Sequence, residues 1–140
     1  MRAHEEATKI KTISEIQIGI YKCDTWYYSP YPSGYHDIKT LFLCEYCLSF
    51  YKMESELRRH EATCPLTHPP GNEVYKNGNI SVFEVDGFSN PTYCENLCYL
   101  SKLFLDHKNL YDDIEPFLFF PMTESDETGN HIGIFSYIVS

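Results

Sequence analysis

Apolar and polar residues alternate through EIQIGIY, where Ile16, Ile18 and Ile20 share one face with the two-residue period of a strand. The same alternation returns in ISVFEV, from Ile80 to Val85, and closes on the turn dipeptide Asp86-Gly87. Leu41 to Leu43 form a short apolar run, a further strand from Phe117 to Phe120 follows Pro116, and a last strand is expected from His131 after the polar turn TESDETGN. Two stretches break this period. Glu54 to Arg59 is made mostly of good helix formers leading into His60. Residues 94–105, CENLCYLSKLFL, read as a helix that is apolar nearly all round, which places it inside a core. Prolines punctuate the loop SPYPSGYHD, and HPPGNE ends the first helical stretch. No internal repeat, low-complexity tract or clear linker interrupts the order.

The helix into His60 belongs to a motif with its own chemistry. Cys44 and Cys47, two residues apart, can offer two thiolates from one tight turn, and His60 and Cys64 lie on one helix face. Four such donors suit a tetrahedral zinc ion. Between the pairs, Tyr51 and Leu57 fall where a ββα finger places its two small-core residues. If that finger docked in a DNA major groove, the base-facing helix positions would be Met53, Glu56 and Arg59, of which only Arg59 is a natural base reader.

Charge argues against such docking. The chain carries 11 basic and 20 acidic residues, and the excess is concentrated in the second half, with 3 basic and 11 acidic side chains after residue 70 against 8 and 9 before it. No basic field lies behind the finger to neutralise phosphates. The finger is therefore expected to be structural, with Arg58 and Arg59 left as auxiliary nucleic-acid contacts, and the acidic surface is expected to attract basic partners such as a lysine-rich peptide.

A length of 140 residues with 43 % apolar and 16 % aromatic content fits one folded unit rather than a disordered chain. The polar start, MRAHEEATKIK, is unlike a signal peptide, and no apolar run reaches the ~18 residues needed to span a bilayer. An intracellular, reducing setting is expected, without membrane association. The finger takes three of the six cysteines, and the odd remainder, Cys23, Cys94 and Cys98, speaks against a disulfide framework. Cys94 and Cys98, one turn apart on a helix, are expected as small buried apolar residues.

The stretches IQIGIYKCDTWYYSPYP, the Cys-Cys-His-Cys finger, HPPGNEVYKNGNISVFEVDG, YCENLCYLSKLFLDHKNLYDDIEPFLFF and MTESDETGNHIG together resemble the first half of the catalytic domain of MYST-type histone acetyltransferases, from about residue 16 to residue 136. The resemblance implies an acyltransferase family working on chromatin in the nucleus. Acetyl-CoA would be the co-substrate, a lysine of a histone H3 or H4 tail the acceptor, and a scaffold subunit of a chromatin-modifying complex a partner. It implies that the finger supports the catalytic core. It also marks Lys102, which matches the family's autoacetylated lysine, although Tyr99 and Ser101 stand where relatives usually carry Leu and Ala. On the residues alone, Lys102 reads first as a lysine that reaches the surface past the helix edge, and a buried ammonium there would need Asp106 or another acceptor, or neutralisation.

The fold expected is α+β: a ββα zinc finger packed on a mostly antiparallel sheet, joined to the first part of a GNAT-like acetyltransferase core. Residues 1–40 would supply amino-terminal strands, 41–68 the finger, and 69–140 the start of the core, with a divergent end at 137–140. The family's CoA-binding loop, active-site cysteine and catalytic glutamate have no counterpart in the sequence, which reads as a truncated form. No catalytic or cofactor-binding residue is assigned, and the acids Asp112, Asp113 and Glu115 are expected to be a solvated face rather than a general base. Two functions stay open: the zinc-finger and substrate-side half of an acetyltransferase, inactive alone, or a non-enzymatic zinc-bearing module that binds histone tails or chromatin-complex partners.

Overall fold

A computed structural model describes residues 13–104, 116–128 and 131–139, the last of these through its backbone. Strand β1 (Ile13–Ile18) turns at Gly19, whose φ of +60° glycine adopts without steric penalty, into β2 (Tyr21–Asp24). On its other side β1 pairs with β3 (Ile38–Leu43), which pairs in turn with β4 (Phe50–Tyr51). The β1 to β3 pairing is parallel, with Ile16 opposite Leu41 and Ile18 opposite Leu43, while the outer two pairs are antiparallel. Helix α1 (Glu54–Glu61) follows β4. A second, wholly antiparallel sheet runs in the order β5 (Asn72–Asn77), β6 (Ile80–Asp86), β7 (Leu118–Ser125), β8 (His131–Val139). Helix α2 (Pro91–Lys102) connects β6 to β7. The expected α+β class is found, with the parallel pair as the one exception to the antiparallel pattern among the described strands.

Side-chain burial explains the layers. Ile13, Ile16, Tyr31, Leu41, Leu43 and Leu103 form one cluster on the first sheet. Val85 and Phe119 of the second sheet pack with Tyr93, Cys94, Leu97 and Cys98 of α2 and with Leu48 in the other. Ile18 and Leu100 touch both clusters, so the two cores are contiguous. Leu48 is the unexpected member. It is fully buried at φ +64°, a left-handed conformation that costs a branched residue about 1–2 kcal/mol. Burying its side chain stabilises the fold by about 1.5–3 kcal/mol, enough to offset that strain.

The proline-punctuated loop is tied to α2 through polar groups. The N–H groups of Trp26 and Tyr27 both donate to the Leu103 carbonyl at 2.9 Å, and the Ser29 hydroxyl donates to the Tyr99 carbonyl at 2.8 Å. Tyr31 then fits between Phe50 and Tyr99, with ring centroids 4.7 and 5.0 Å away. Gly71, just before β5, passes so close to β6 that a Cβ would lie 2.1 Å from the Glu84 carbonyl oxygen. Any side chain there would push the start of β5 away from β6.

Several boundaries differ from those read in the sequence. Ile20 continues the alternation of Ile16 and Ile18 but is 87 % exposed, because Gly19 ends the strand first. α2 begins at Pro91, three residues earlier than expected, since proline is well placed in the first turn after Asn90. Position 105 lies outside the described residues. Thr123, Glu124 and Ser125 belong to β7 rather than to the turn, held by pairing with β8 and by the Ser125 N–H donating to the Asn79 carbonyl at 2.7 Å. β8 runs on through residues 137–139, where Tyr137, Ile138 and Val139 pair in register with Pro121, Phe120 and Phe119. β2 and β5 carry exposed side chains and no useful alternation, and they become strands only by pairing.

Two buried phenols make a test. The hydroxyls of Tyr31 and Tyr93 have no hydrogen-bond partner among the described residues, and burial pushes both well above the usual phenol range. The unfolded chain ionises them near the ordinary value of about 10, so above that pH the unfolded state binds fewer protons and stability falls as pH rises. Tyr93→Phe is expected to raise stability by about 1 kcal/mol at neutral pH and to reduce the alkaline loss. Urea unfolding midpoints of parent and variant, measured at neutral pH and at about pH 11, check both parts.

Candidate metal centre

β3 delivers Cys44 at the start of a tight turn. The Leu48 N–H donates to the Cys44 carbonyl and the Cys44 N–H to the Ser49 carbonyl, both at 2.9 Å, which folds the chain back into β4. Phe42 pairs with Tyr51 and Leu43 with Phe50, completing the short hairpin. At the start of α1 the Glu56 carboxylate accepts a hydrogen bond from the Met53 N–H at 3.2 Å, satisfying a donor the helix leaves free. Leu57 turns inward and is buried, so His60, three residues on, faces the hairpin. The Thr63 and Cys64 N–H groups both donate to the His60 carbonyl at 2.9 Å and bring Cys64 back beside the turn.

The four expected ligands meet. The Sγ atoms of Cys44, Cys47 and Cys64 and a ring nitrogen of His60 all lie within 4.8 Å of one another, and among the described residues no other group of three or more His, Cys, Asp or Glu side chains does so. Cys44 Sγ is 3.9 Å from Cys64 Sγ, and Cys47 Sγ is 3.2 Å from His60 Nε2. A tetrahedral ion with Zn–S bonds of about 2.3 Å would set its sulfurs about 3.8 Å apart, so the residues present fit zinc. Tyr51, half-buried, lies with its ring 5.5 Å from that of His60, and it and Leu57 fill the small core the spacing predicts.

Electrostatics favour a dication here. The hydrogen bond from Cys44 holds the Cys47 thiol well below the usual range, helped by the Ser49 hydroxyl at 3.0 Å, and the same bond together with burial pushes Cys44 up. A bound dication would take the place of the thiol protons by accepting electron pairs from both sulfurs. All four positions are filled by protein, the pattern of a structural rather than a catalytic site.

The remaining sequence candidates separate from this centre. None of the six cysteines is in a disulfide: Cys23 is exposed, while Cys94 and Cys98 are buried in the α2 core, where burial pushes the Cys94 thiol up to about 12. Lys102, half-buried at the end of α2, donates from Nζ to the Tyr28 carbonyl at 2.9 Å. Its expected acceptor Asp106 and the acids Asp112, Asp113 and Glu115 lie outside the described residues. On α1, Arg58 pairs with Glu54 at 2.7 Å and Glu61 at 3.5 Å, so its charge is engaged within its own helix rather than offered to phosphates. Among the described residues no helix is long and apolar enough to cross a membrane. Two features were missed in the sequence: the Tyr28 carbonyl as acceptor and the burial of Leu48. The second had a signal, an apolar residue directly after a ligand, where a solvent-facing turn would carry a polar one.

Residues 10–64 match the MYST family zinc finger domain, and residues 68–139 match the MOZ/SAS family. The chain is 53 % identical over 137 residues to the histone acetyltransferase of the MYST family 2 of Arabidopsis thaliana, covering 97 % of this chain and 31 % of that protein. It is 49 % identical over 132 residues to the histone acetyltransferase esa1 of Emericella nidulans, 94 % of this chain and 26 % of the relative. With the histone acetyltransferase MOF of Drosophila melanogaster it shares 48 % over 136 residues, 96 % of this chain and 16 % of the relative. The chain therefore spans less than a third of the length of these relatives.

Purified chain is expected to hold one zinc ion. Cys64→Ala removes one of four ligands and is expected to weaken zinc by about 2.5–4 kcal/mol, a quarter of the ~10–16 kcal/mol typical of such sites, whereas Cys64→His retains it. Competition with a chromophoric chelator measures both.

Proposed function

From the chain's membership of the MOZ/SAS family of MYST proteins, established by the match over residues 68–139, we propose that it forms the zinc-bearing, substrate-side part of a histone lysine acetyltransferase. The reaction moves an acetyl group from acetyl-CoA to the amine of a histone lysine. The observation that carries this reading is the continuity of two matched segments, finger and core, with one buried cluster built from both. The zinc held by Cys44, Cys47, His60 and Cys64 would fix the fold of the finger and supply no open coordination position, so its part in the reaction is architectural. Acceptor attack needs the lysine amine neutral, which calls for a general base. None of the described residues is assigned to that task or to acetyl-CoA.

The acidic second half, with a net charge of −8 after residue 70, supports histone tails as the basic partner, and the histone acetyltransferase relatives support a nuclear setting. Scaffold subunits of a chromatin complex are further partners of this reading. The same charge also supports the second reading, a zinc-bearing module that binds histone tails without catalysis. The two separate in one assay: a longer protein containing these residues should acetylate histones if the first reading holds and only bind them if the second does.

Lys102 is the proposed modification site. Its ammonium is held by a neutral carbonyl alone among the contacts described, and acetylation would remove the charge while leaving an N–H to donate to Tyr28. Protein from its native cells is expected to carry acetyl on Lys102 by peptide mass spectrometry, and persistent absence would count against the assignment. For the activity, a longer protein containing this chain, with zinc bound, is expected to transfer labelled acetyl from acetyl-CoA to histones. No transfer from a folded, zinc-loaded sample would overturn the enzymatic reading.

A further inference from the structure

Leu48 belongs to the metal turn by sequence and to the core of α2 by packing. It directly follows the ligand Cys47, it holds φ at +64°, and it is completely buried among Val85, Tyr93, Cys94, Leu97 and Phe119. The turn that carries it is closed by two backbone hydrogen bonds, Leu48 N–H to Cys44 and Cys44 N–H to Ser49. A third link runs from α2, where the Asn96 amide donates to the Cys47 carbonyl at 3.5 Å. A branched residue leaves the left-handed region readily once nothing holds it there. Burial and these hydrogen bonds hold it there, and a metal ion adds the further constraint of keeping the Cys44 and Cys47 sulfurs together.

We propose that Leu48 is a metal-dependent latch. With the four ligands occupied, the turn presents the leucine to the core and α2 is clamped against β6 and β7. When the metal leaves, the turn relaxes toward extended backbone and Leu48 withdraws. The cavity it vacates is lined by Cys94 and Cys98, so α2 loosens and these two thiols become reactive. The finger's metal state is thereby transmitted to the helix that bears Lys102, beyond the local support of the finger itself. This inference rests on the zinc reading given above, and the experiment separates the two.

The chain carries its own reporters, with Cys23 exposed as an internal control and Cys94 and Cys98 buried. Zinc-loaded chain, with or without a chelator, is pulsed with a maleimide and the labelled cysteines are identified by mass spectrometry, while far-UV circular dichroism follows the sheets. Chelation is expected to raise labelling of Cys94 and Cys98 by on the order of tenfold or more, with Cys23 unchanged and the strand signal retained. Leu48→Ala should do the same with zinc still bound and Cys44, Cys47 and Cys64 still protected. Leu48→Met, which keeps the volume, should label as the parent does. The latch is overturned if zinc is bound yet Cys94 and Cys98 stay protected after chelation. Collapse of the whole strand signal on chelation overturns it too, because the effect would then be global. A folded chain that binds no zinc overturns both the latch and the metal reading. Should Leu48→Ala not fold, the chelation arm on the parent chain decides alone.

Discussion

Three sulfurs and an imidazole nitrogen packed within 4.8 Å are a problem in electrostatics before they are a binding site. Deprotonated together, the sulfurs repel; protonated, they leave the turn and the end of α1 with only a few hydrogen bonds to hold them. A dication resolves the conflict by being attracted to all four groups at once. Much else follows from that resolution. The turn holds β3 against β4, β3 holds β1 in its parallel register, and Leu48 carries the constraint into the second cluster. Most small domains rely on a large apolar core for such coherence. Here two modest cores are joined through Ile18, Leu100 and a metal-bearing turn.

The finger was readable from sequence because its geometry is local. A turn brings Cys44 and Cys47 together, the end of α1 and the turn after it do the same for His60 and Cys64, which lies beyond the helix rather than on its face, and Tyr51 and Leu57 sit at fixed offsets from both pairs. The central helix was readable for a related reason: its apolar circumference demanded a core, and Cys94 and Cys98 took buried positions as small apolar side chains do. Family resemblance, carried by long stretches rather than by single residues, gave the class of the fold and the family.

What stayed hidden depended on partners distant in sequence. YKCD and NEVYKN have no apolar face to announce a strand, and only the neighbours Ile13–Ile18 and Ile80–Asp86 turn them into one. Thr123 to Ser125 look like turn residues, yet the long β8 draws them into the sheet. Ile20 has the right period and the wrong location, because one glycine redirects the chain. For Lys102 the sequence offers Asp106 or another acceptor, and Asp106 lies outside the described residues. The acceptor observed is the carbonyl of Tyr28, in a loop that α2 meets only after the chain has folded over.

Leu48 also bears on the order in which the chain is made. It and all four ligands are synthesised before Val85, Tyr93, Leu97 and Phe119, the residues that later enclose it. Domains tend to fold as they emerge, amino-terminal parts first. A finger that captures its metal on the ribosome would already point Leu48 outward in its bound conformation, ready to template the packing of α2 as that helix arrives. A finger that is late for its metal would leave the helix to collapse on an unprepared surface. Metal supply during translation would then govern the yield of folded protein more than metal supply afterwards.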